Sequence, residues 1–214
     1  MKRVVGALLC GGLSSRMGRD KAMIQLDGQP LWQLQLAKLR LVCSEVIVCG
    51  NPAQRDTFEP MDVRFESDAE PGLGPLSGIA RAMEIAGASH VLVLAVDMPN
   101  MSEHYLSELV ECSSAECGAV PERGVVFEGL CAVYPIAMRG VVLGLLAGTQ
   151  RSVQRLVRLG MEQGFLRAKH VTPFESVFFE NWNAPGDVAR AMETRGLPSP
   201  GSWKSLISPS ASCE

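Results

Sequence analysis

The residues with the clearest chemical meaning lie in the segment Gly11-Gly12-Leu13-Ser14-Ser15-Arg16-Met17-Gly18-Arg19-Asp20-Lys21, directly after an apolar run over residues 4–10. Consecutive glycines allow a tight turn whose backbone N–H groups face inward and bind an anion. Arg16 and Lys21 add cationic groups that hydrogen-bond phosphate oxygens. The segment therefore predicts a binding site for a phosphate chain, such as that of a nucleoside triphosphate.

The spacing excludes two common glycine-rich loops. A Walker A loop requires Lys followed by Ser or Thr, whereas Lys21 is followed by Ala22. The dinucleotide fingerprint G-x-G-x-x-G is not formed by Gly11, Gly12 and Gly18. The structural alternative is an ordinary strand-to-helix turn with surface charges, and the other polar motifs of the chain argue against it.

Asp97 is the best candidate for a metal ligand. It follows the wholly apolar segment 91–96 and precedes Met98-Pro99, which places a carboxylate at the tip of a predicted strand. Mg²⁺ typically takes one or two protein carboxylates and completes its shell with water and phosphate oxygens. The alternative role is a cap for the next helix, but Ser102 is better placed for that. Asp97 is therefore predicted to bind Mg²⁺.

Asp68 precedes a Gly- and Pro-rich segment over residues 71–78. The segment has a plain structural use, because Pro75 suits the first turn of a helix and Gly72 and Gly74 suit a tight turn, but a functional role for Asp68 is favoured. Three polar neighbours leave the assignment of this role open: Glu66, Ser67 and Glu70.

Asn181 and Asn183 stand just before Ala184-Pro185-Gly186-Asp187. Their amides both donate and accept hydrogen bonds, which suits a ligand with phosphate oxygens and a heterocycle edge. They equally suit a turn that starts a helix, with Pro185 in its first turn. On its own, the motif leaves both interpretations open.

Apolar runs rich in β-branched residues predict six strands: Val4–Leu9, Glu45–Cys49, Val63–Glu66, His90–Val96, Leu130–Tyr134 and Ser176–Phe179. Helical patterns lie between or after them: Leu31–Leu41, Pro75–Ala86, Glu103–Cys112, Ile136–Leu146, Arg151–Gly164 and a last one after Pro185. Such alternation predicts an α/β fold built around a mostly parallel sheet. The functional loops should then leave the carboxyl ends of the strands.

The composition predicts one soluble domain over residues 1–195, since 47% of the 214 residues are hydrophobic. Residues 196–214 are rich in Ser, Pro and Gly and are predicted to form a flexible tail, although Trp203, Leu206 and Ile207 could dock it on the body or on a partner. The net charge of −3 argues against broad nucleic-acid binding.

The sequence also predicts a cytoplasmic protein that does not cross a membrane. No apolar run reaches the roughly 18 residues of a membrane span, and the short run after Met1-Lys2-Arg3 is interpreted as a strand rather than a signal peptide. The seven cysteines are scattered without a C-x-x-C pair, which indicates reduced thiols. A disulfide between Cys112 and Cys117 is the alternative.

The glycine-rich segment resembles the G-G-x-S-x-R-M-G-x-D-K signature of nucleotidyltransferases and, more narrowly, that of molybdenum cofactor guanylyltransferases. Three further motifs match in the same order over residues 4–190: an Asp before Gly-Pro-Leu-x-Gly, Asp97-Met98-Pro99, and the Asn181-to-Asp187 turn. The resemblance implies a Rossmann-like three-layer α/β sandwich. It also implies transfer of GMP from GTP to molybdopterin or Mo-molybdopterin, with Mg²⁺ as cofactor.

The resemblance implies a role for each matching position. The residues implied to bind GTP are Leu9, Cys10, Gly11, Gly12, Arg16, Lys21, Asn51, Asp68 and Asp97. Of these, Arg16, Lys21 and Asp97 are implied to be catalytic and Asp97 to hold the metal, while Asn181 and Asn183 are implied to bind molybdopterin. Transient contacts with molybdopterin-synthesis proteins and with recipient molybdoenzymes are also expected.

The chain departs from the family pattern at three places. Cys49 stands where these enzymes often carry a nucleotide-binding Asn, which leaves Asn51 as the substitute. Glu128-Gly129-Leu130 replaces a Pro or His-Pro, which puts acceptor recognition in doubt, and Met98 replaces a Thr. The alternatives are a related transferase that uses CTP or a sugar or alditol phosphate acceptor, and a non-catalytic carrier of nucleotide or molybdopterin.

Overall fold

A mixed β-sheet forms the middle layer of the protein. The computed structural model describes residues 2–11, 20–58, 63–67 and 73–182. Eight strands form this sheet: β1 (Val4–Leu9), β4 (Val46–Gly50), β5 (Arg64–Ser67), β6 (His90–Ala95), β7 (Gly118–Arg123), β8 (Val126–Phe127), β9 (Cys131–Pro135) and β10 (Leu166–His170). Two short strands, β2 (Gln25–Leu26) and β3 (Gln29–Pro30), form a separate antiparallel hairpin.

The strand order divides the sheet into two halves. The order is β10-β7-β9-β6-β1-β4-β5, with β8 paired to β7. Strands β6, β1, β4 and β5 are mutually parallel and are called the parallel half. Strand β9 is antiparallel to both β6 and β7, whereas β7 and β10 are parallel, so β7 to β10 form the mixed half. The carboxyl ends of β5, β4, β1 and β6 therefore share one edge, called here the carboxyl edge.

Helices cover both faces of the sheet. The described α-helices are α1 (Leu31–Val42), α2 (Arg55–Phe58), α3 (Pro75–Ile85), α4 (Glu103–Cys112), α5 (Arg139–Ala147) and α6 (Val153–Glu162). Side chains of α1 and α4 belong to one buried cluster, and those of α3, α5 and α6 to the other. This confirms the predicted three-layer α/β architecture.

Strand β6 shows why the sheet is central. Leu92 and Leu94 enter the cluster below α1 and α4, while Val91 and Val93 enter the opposite one, and all four are fully buried. A strand covered on both faces carries an unbroken apolar run, because neither face meets water. The apolar segment before Asp97 is therefore the consequence of its position in the middle of the sheet.

The predicted starts of α1, α3 and α4 are confirmed, whereas α6 begins at Val153, two residues after the predicted Arg151. Ser102 accepts a hydrogen bond from the backbone N–H of His104 at 3.2 Å and caps α4. Helix α3 begins with Pro75 directly after Gly74, whose φ of 72° is a conformation that glycine adopts at little cost. The segment predicted as a helix from Ile136 begins with a 3₁₀ turn over Ile136–Met138 and continues as α5.

Five of the six predicted strands are confirmed, but Ser176–Phe179 is wrong. This segment lies in a 3₁₀ helix over Glu175–Phe179. The Glu175 carboxylate accepts hydrogen bonds from the N–H and hydroxyl of Thr172, which stabilises a turn, and Phe179 packs edge-on against Tyr105 at 5.4 Å. The apolar run therefore contacts the core through one side of a turn rather than through a strand.

Strands β7 and β10 were not predicted because their sequences are mixed. Strand β7 contains Pro121 and two charged residues, and β10 has only Leu166 buried among its five residues. Strand β10 pairs with β7 alone at the sheet edge, where one side faces solvent and polar residues are tolerated. Local sequence pattern is weak for strands of this kind.

Only some of the remaining predictions on the architecture concern residues that the structure describes. Six cysteines lie in the described part of the chain, and all six are free thiols, including Cys112 and Cys117. No helix among the described residues is long and apolar enough to cross a membrane. The last helix after Pro185, the tail over 196–214 and its boundary at residue 195 lie outside the described residues.

Candidate active site

Three neighbouring strands end together at the carboxyl edge. The Cys10 N–H donates to the Cys49 carbonyl at 2.7 Å, and the Val96 N–H donates to the Leu9 carbonyl at 3.1 Å. The backbone hydrogen bonds between the strands thus continue one residue beyond the ends of β1 and β6. Gly11, Asn51 and Asp97 leave this edge side by side, as expected for residues that follow parallel strands.

Lys21 and Asp97 meet at this edge although they lie 76 positions apart in the chain. The Lys21 Nζ atom lies 3.0 Å from Asp97 Oδ2, with 24% and 18% of the two side chains exposed. Asp20 caps the 3₁₀ turn over Lys21–Met23 by accepting from the Ala22 N–H at 3.0 Å. The structure therefore brings together two of the three residues predicted to be catalytic, and both side chains are partly exposed.

The loop that carries Asp97 is held from α1. The Gln35 amide, fully buried, donates to the Met98 carbonyl, and Lys38 Nζ donates to the Pro99 carbonyl at 2.8 Å. The Met98 side chain is only 2% exposed and belongs to the core cluster below α1. Met98, which stands where the family pattern has Thr, therefore places an apolar side chain in the core, where it anchors the loop.

The last described segment of the chain, which ends at Trp182, contacts the same loop. The Trp182 N–H donates to the Asp97 carbonyl at 2.9 Å, and the Trp182 side chain is 2% exposed in the core. The Asn100 amide also donates to the Glu180 carboxylate at 3.1 Å. Asn181, which precedes Trp182 in the chain, therefore lies near the Asp97 loop, while Asn183 lies outside the described residues.

Cys49 and Asn51 differ in what they present to a ligand. The Cys49 side chain is 1% exposed and packs in the core below α3, whereas Asn51 is exposed at the carboxyl edge. The Asn51 side-chain oxygen accepts from the Ala53 N–H at 2.9 Å and caps a 3₁₀ turn over Pro52–Gln54. Of the two alternatives, Asn51 is the one that lies at the edge of the site.

Gln54 is a polar residue at the site that the sequence analysis missed. Its side chain is 8% exposed, its Nε2 donates to the Cys10 carbonyl at 3.3 Å and to the Asp20 carboxylate, and its Oε1 accepts from the Asn51 N–H at 2.8 Å. The signal available was the spacing Asn51-x-x-Gln54, since Asn followed three residues later by Gln forms a capping box.

Leu9 and Cys10 can reach a ligand only through their backbones. Their side chains are 6% and 5% exposed and point into opposite core clusters. Burial raises the pKa of the Cys10 thiol well above its usual range, and the negative charge of Asp20 and the neighbouring Cys49 raise it further. The thiol is therefore neutral at physiological pH and carries no charge toward an anionic ligand.

Several predicted residues lie outside the described part of the chain: Gly12, Arg16, Asp68 and Asn183. Across residues 2–11, 20–58, 63–67 and 73–182, no group of three or more His, Cys, Asp or Glu side chains is arranged to hold a metal ion. Asp97 is the carboxylate that Lys21 contacts at the carboxyl edge. A single carboxylate still fits Mg²⁺, which fills its other positions with water and phosphate oxygens.

The departure at Glu128-Gly129-Leu130 lies on the other side of β6. The Leu130 carbonyl accepts from the Ala95 N–H at 2.8 Å, which places this loop beside the end of β6 and on the mixed half. Glu128 is 8% exposed, and its carboxylate lies 2.8 Å from an Arg123 guanidinium nitrogen. Burial raises the pKa of Glu128 even though the charge and hydrogen bond of Arg123 oppose the shift.

Comparisons with known proteins agree with this arrangement. Residues 6–166 match the family model described as a MobA-like NTP transferase domain. The chain is 36% identical over 187 residues to a probable molybdenum cofactor guanylyltransferase of Opitutus terrae, covering 86% of this chain and 92% of that protein. It is 32% identical, with the same coverage, to the molybdenum cofactor guanylyltransferase of Xanthomonas euvesicatoria.

A solved structure supports the same fold. The molybdopterin-guanine dinucleotide biosynthesis protein A of Archaeoglobus fulgidus superimposes with a TM-score of 0.72 over 90% of this chain and 98% of that chain, at 23% identity. Identity at that level shows the fold, whereas the family model and the sequence relatives cover most of the chain at higher similarity. The chain with the Lys21–Asp97 pair at its carboxyl edge therefore belongs to the MobA-like NTP transferase family.

Proposed function

We propose that this chain transfers GMP from GTP to the terminal phosphate of molybdopterin or Mo-molybdopterin, forming molybdopterin guanine dinucleotide and pyrophosphate. The observation that carries the proposal is the Lys21–Asp97 pair, held at the carboxyl edge of a chain from this transferase family. The relatives from Opitutus terrae and Xanthomonas euvesicatoria, named as guanylyltransferases, support the choice of donor and acceptor.

The reaction joins two anions. An oxygen of the acceptor phosphate attacks the α-phosphorus of GTP, and the bond from that phosphorus to the oxygen bridging the β-phosphorus breaks. The electron pair of the broken bond leaves with pyrophosphate, and the new bond completes a pyrophosphate linkage between GMP and the acceptor. The attacking group is already ionised, so the site needs positioning and charge neutralisation rather than a strong base.

The parallel half binds GTP in this proposal. In this proposal the backbone at the end of β1, over Leu9, Cys10 and Gly11, faces the guanine, and Gly11 is the exposed residue of the three. Lys21 neutralises the phosphates from its capped turn, and its pairing with Asp97 keeps the ammonium at the edge before GTP arrives. The other residues assigned to GTP are Gly12, Arg16, Asn51 and Asp68.

Asp97 is the proposed ligand for Mg²⁺. The carboxylate fits by donor type, is partly exposed, and is held by hydrogen bonds to the loop that follows it. When bound, the metal supplies positive charge to the α-phosphate and to the leaving pyrophosphate. Lys21 contributes a second positive charge beside the same carboxylate, which limits the repulsion between Asp97 and the phosphate chain.

The acceptor is assigned to the side of Asp97 that carries Asn181 and Asn183. The hydrogen bond from the Trp182 N–H to the Asp97 carbonyl supports this, because it holds Asn181 next to the reacting phosphates. The product is a cofactor that other enzymes use, so transient contacts with molybdopterin-synthesis proteins and with recipient molybdoenzymes belong to the proposal. A cytoplasmic location is part of the same proposal.

Pyrophosphate release tests the function. The purified protein is incubated with Mg²⁺ and GTP, CTP, ATP or UTP in turn, each with and without molybdopterin and Mo-molybdopterin. Turnover that requires GTP together with a molybdopterin acceptor is expected. A preference for CTP would identify a cytidylyltransferase instead, turnover only with a sugar or alditol phosphate would change the acceptor, and tight GTP binding without turnover would indicate a carrier.

A further inference from the structure

We infer that Gln54 is a positioning residue for the nucleotide site: its buried amide joins both ends of the glycine-rich segment to the end of β4. This inference rests on the proposed function, since it concerns how the same site holds GTP. Gln54 contacts none of the reacting groups in this scheme. It acts through Cys10, which precedes the segment, and through Asp20, which ends it.

The geometry of the amide accounts for this role. One nitrogen donates to both the Cys10 carbonyl and the Asp20 carboxylate, while the oxygen accepts from the Asn51 N–H. The three partners come from β1, from the turn that carries Lys21, and from the turn after β4. Because the side chain is buried, water competes weakly for these bonds, and each contributes fully to the position of its partner.

Gln is the residue type that this position requires. The amide supplies donors for two oxygen atoms and an acceptor for one N–H, and it carries no charge next to Asp20. A Glu carboxylate accepts only, so it would face the Cys10 carbonyl and the Asp20 carboxylate with no hydrogen to offer. Met has nearly the same length but removes all three hydrogen bonds.

The end of β4 leaves space for this amide. A Cβ atom added at Gly50 would lie 2.4 Å from Gln54 Oε1 and 3.2 Å from the Phe65 ring. Any side chain at Gly50 would therefore push the amide away from its partners. The backbone around the strand end is shaped to admit the amide, which supports a specific role for it.

The consequence for GTP concerns Lys21. Asp20 caps the turn from which Lys21 reaches Asp97, and Gln54 holds the same Asp20 carboxylate. Loss of the Gln54 hydrogen bonds frees the turn and the start of the glycine-rich segment together. The expected effect is weaker GTP binding with an unchanged KM for the acceptor, because Asn181 and the Trp182 anchor lie on the other side of Asp97.

The test uses Gln54→Glu in the full chain, measured as pyrophosphate release with GTP, Mg²⁺ and molybdopterin from about pH 5.5 to 8. Near pH 8, we expect the KM for GTP to rise by about tenfold relative to the wild type, because the carboxylate loses the hydrogen bonds to both Cys10 and Asp20 and keeps the one from Asn51. As the pH falls, the KM ratio should decrease, because a protonated carboxyl donates one hydrogen bond again.

The surroundings of residue 54 support that pH range. Burial and the facing Asp20 carboxylate would both raise the pKa of a Glu at this position. Among the described residues, the cationic side chains nearest in sequence to Asp20 and Gln54 are Lys21, which follows Asp20, and Arg55, whose guanidinium lies over the Phe65 ring at 5.5 Å. The Cys10 thiol is neutral, because its pKa is raised.

Gln154→Glu is the matched control. Gln154 on α6 also bridges backbone groups, since its amide donates to the Phe127 carbonyl and accepts from the Phe127 N–H at 3.4 Å, but it lies on the mixed half. The control should leave the KM for GTP unchanged at every pH. Circular dichroism shows whether Gln54→Glu folds, and if it does not, Gln54→Met replaces it. We expect the same rise in the KM for GTP with Gln54→Met, but no recovery at low pH.

The outcomes separate the inference from the proposed function. If the wild type shows no turnover with GTP and molybdopterin, the proposed function fails, and nucleotide binding by the same variants still tests Gln54. If the wild type turns over and folded Gln54→Glu and Gln54→Met keep the wild-type KM for GTP, Gln54 has only a structural role. An equal rise in the KM for GTP and for the acceptor would also overturn the inference.

Discussion

Two carboxylates, one on each half of the sheet, are held in opposite ways. On the parallel half, Glu66 lies 2.8 Å from Arg81 and 3.5 Å from Arg64. On the mixed half, Glu128 has Arg123 as its cationic partner in the described structure and is more deeply buried. Burial acts to raise the pKa of both carboxylates. At Glu66 the hydrogen bonds and charges of the two arginines outweigh burial, so the pKa is lowered. At Glu128 burial outweighs Arg123, so the pKa is raised.

This difference shows where charge is compensated in the fold. On the parallel half, Glu45 and Glu66 each pair with two arginines, and this is the half that the proposal assigns to an anionic nucleotide. The mixed half holds a buried carboxyl in one of the three places where the chain departs from the family pattern. The other two departures, Cys49 and Met98, lie on the parallel half, so the contrast between the halves lies in how Glu66 and Glu128 are compensated.

The largest expected effect is on turnover, from Lys21→Ala. Removing the cation beside Asp97 should lower pyrophosphate release by about 10³-fold, the range seen when one electrostatic group of an active site is removed. Stability should change little, since the pair is partly exposed and such pairs contribute about 0–1 kcal/mol. Turnover is measured at saturating GTP, and the free energy of unfolding by urea titration.

Lys169→Ala on the mixed half is the matched comparison. Lys169 Nζ lies 3.1 Å from Glu175, in a pair of similar exposure, and 4.2 Å from the centre of the Tyr105 ring. The loss of the ion pair and the cation–π contact should reduce stability while turnover stays within about twofold. Comparable loss of turnover in both variants would mean that the two halves do not differ in function as described.

The sequence predicted the parallel half in far more detail than the mixed half. The predictions for Asp97, Asn51 and Lys21 rest on local pattern, because each lies next to a strand end or in the glycine-rich segment. The pairing of Lys21 with Asp97 follows from strand order, which local pattern does not specify. Gln54 was missed because its importance depends on Cys10 and Asp20, which come from other elements.

The mixed half depends more on contacts distant in sequence. Strand β10 is recognisable only through its pairing with β7, and the turn over Glu175–Phe179 only through its packing on Tyr105. A mixed or short apolar run is compatible with several structures, and tertiary contacts decide among them. The prediction of Ser176–Phe179 as a strand failed for this reason.

The next largest expected effect is a pH dependence of stability that arises from Glu128 on the mixed half. The pKa of Glu128 is higher in the folded state than in the unfolded state, so the stability linked to this group is present at low pH and is lost as the pH rises through the folded pKa. Glu128→Gln removes that titration. Relative to this variant, the wild type should therefore lose stability between about pH 4.3, the unperturbed value for Glu, and neutral pH.

Urea titrations at several pH values measure this difference, with the KM for GTP as a second readout. The KM should not change, because Glu128 and Arg123 lie on the mixed half, across β6 from the β1 strand end. A stability difference that stays constant with pH would show that Glu128 does not titrate as its burial indicates. A changed KM for GTP would show that the two halves are coupled.

Glu66→Gln on the parallel half should show the opposite sign. The pKa of Glu66 is lowered in the folded state by Arg81 and Arg64 against the effect of burial, so its stability contribution is present above the unfolded pKa and is lost as the pH falls through the folded pKa. The wild type should be more stable than the variant near neutral pH, by less than about 1 kcal/mol because the group is partly exposed.

The difference between wild type and Glu66→Gln should shrink below about pH 4.3, where the unfolded chain binds the proton. The same urea titrations as for Glu128 measure it, so the two variants form one experiment with opposite expected slopes. Equal slopes would remove the distinction drawn between the two carboxylates. Arg81→Lys sharpens the result, since it keeps a cation near Glu66 but changes the geometry of its hydrogen bond.

The smallest expected effect compares two helix caps. Ser102 caps α4 with a hydrogen bond of 3.2 Å next to the Asp97 loop, and Ser152 caps α6 on the mixed half with one of 3.4 Å. Ser→Ala at a cap lowers stability by about 1 kcal/mol, and the loss should be smaller for Ser152→Ala, whose hydrogen bond is longer.

The two caps should also differ in their effect on turnover. Because α4 follows the Asp97 loop directly, Ser102→Ala should lower turnover slightly, whereas Ser152→Ala should affect stability alone. Urea titration and pyrophosphate release on both variants test this, and a larger loss of turnover in Ser152→Ala would contradict the assignment of the chemistry to the parallel half.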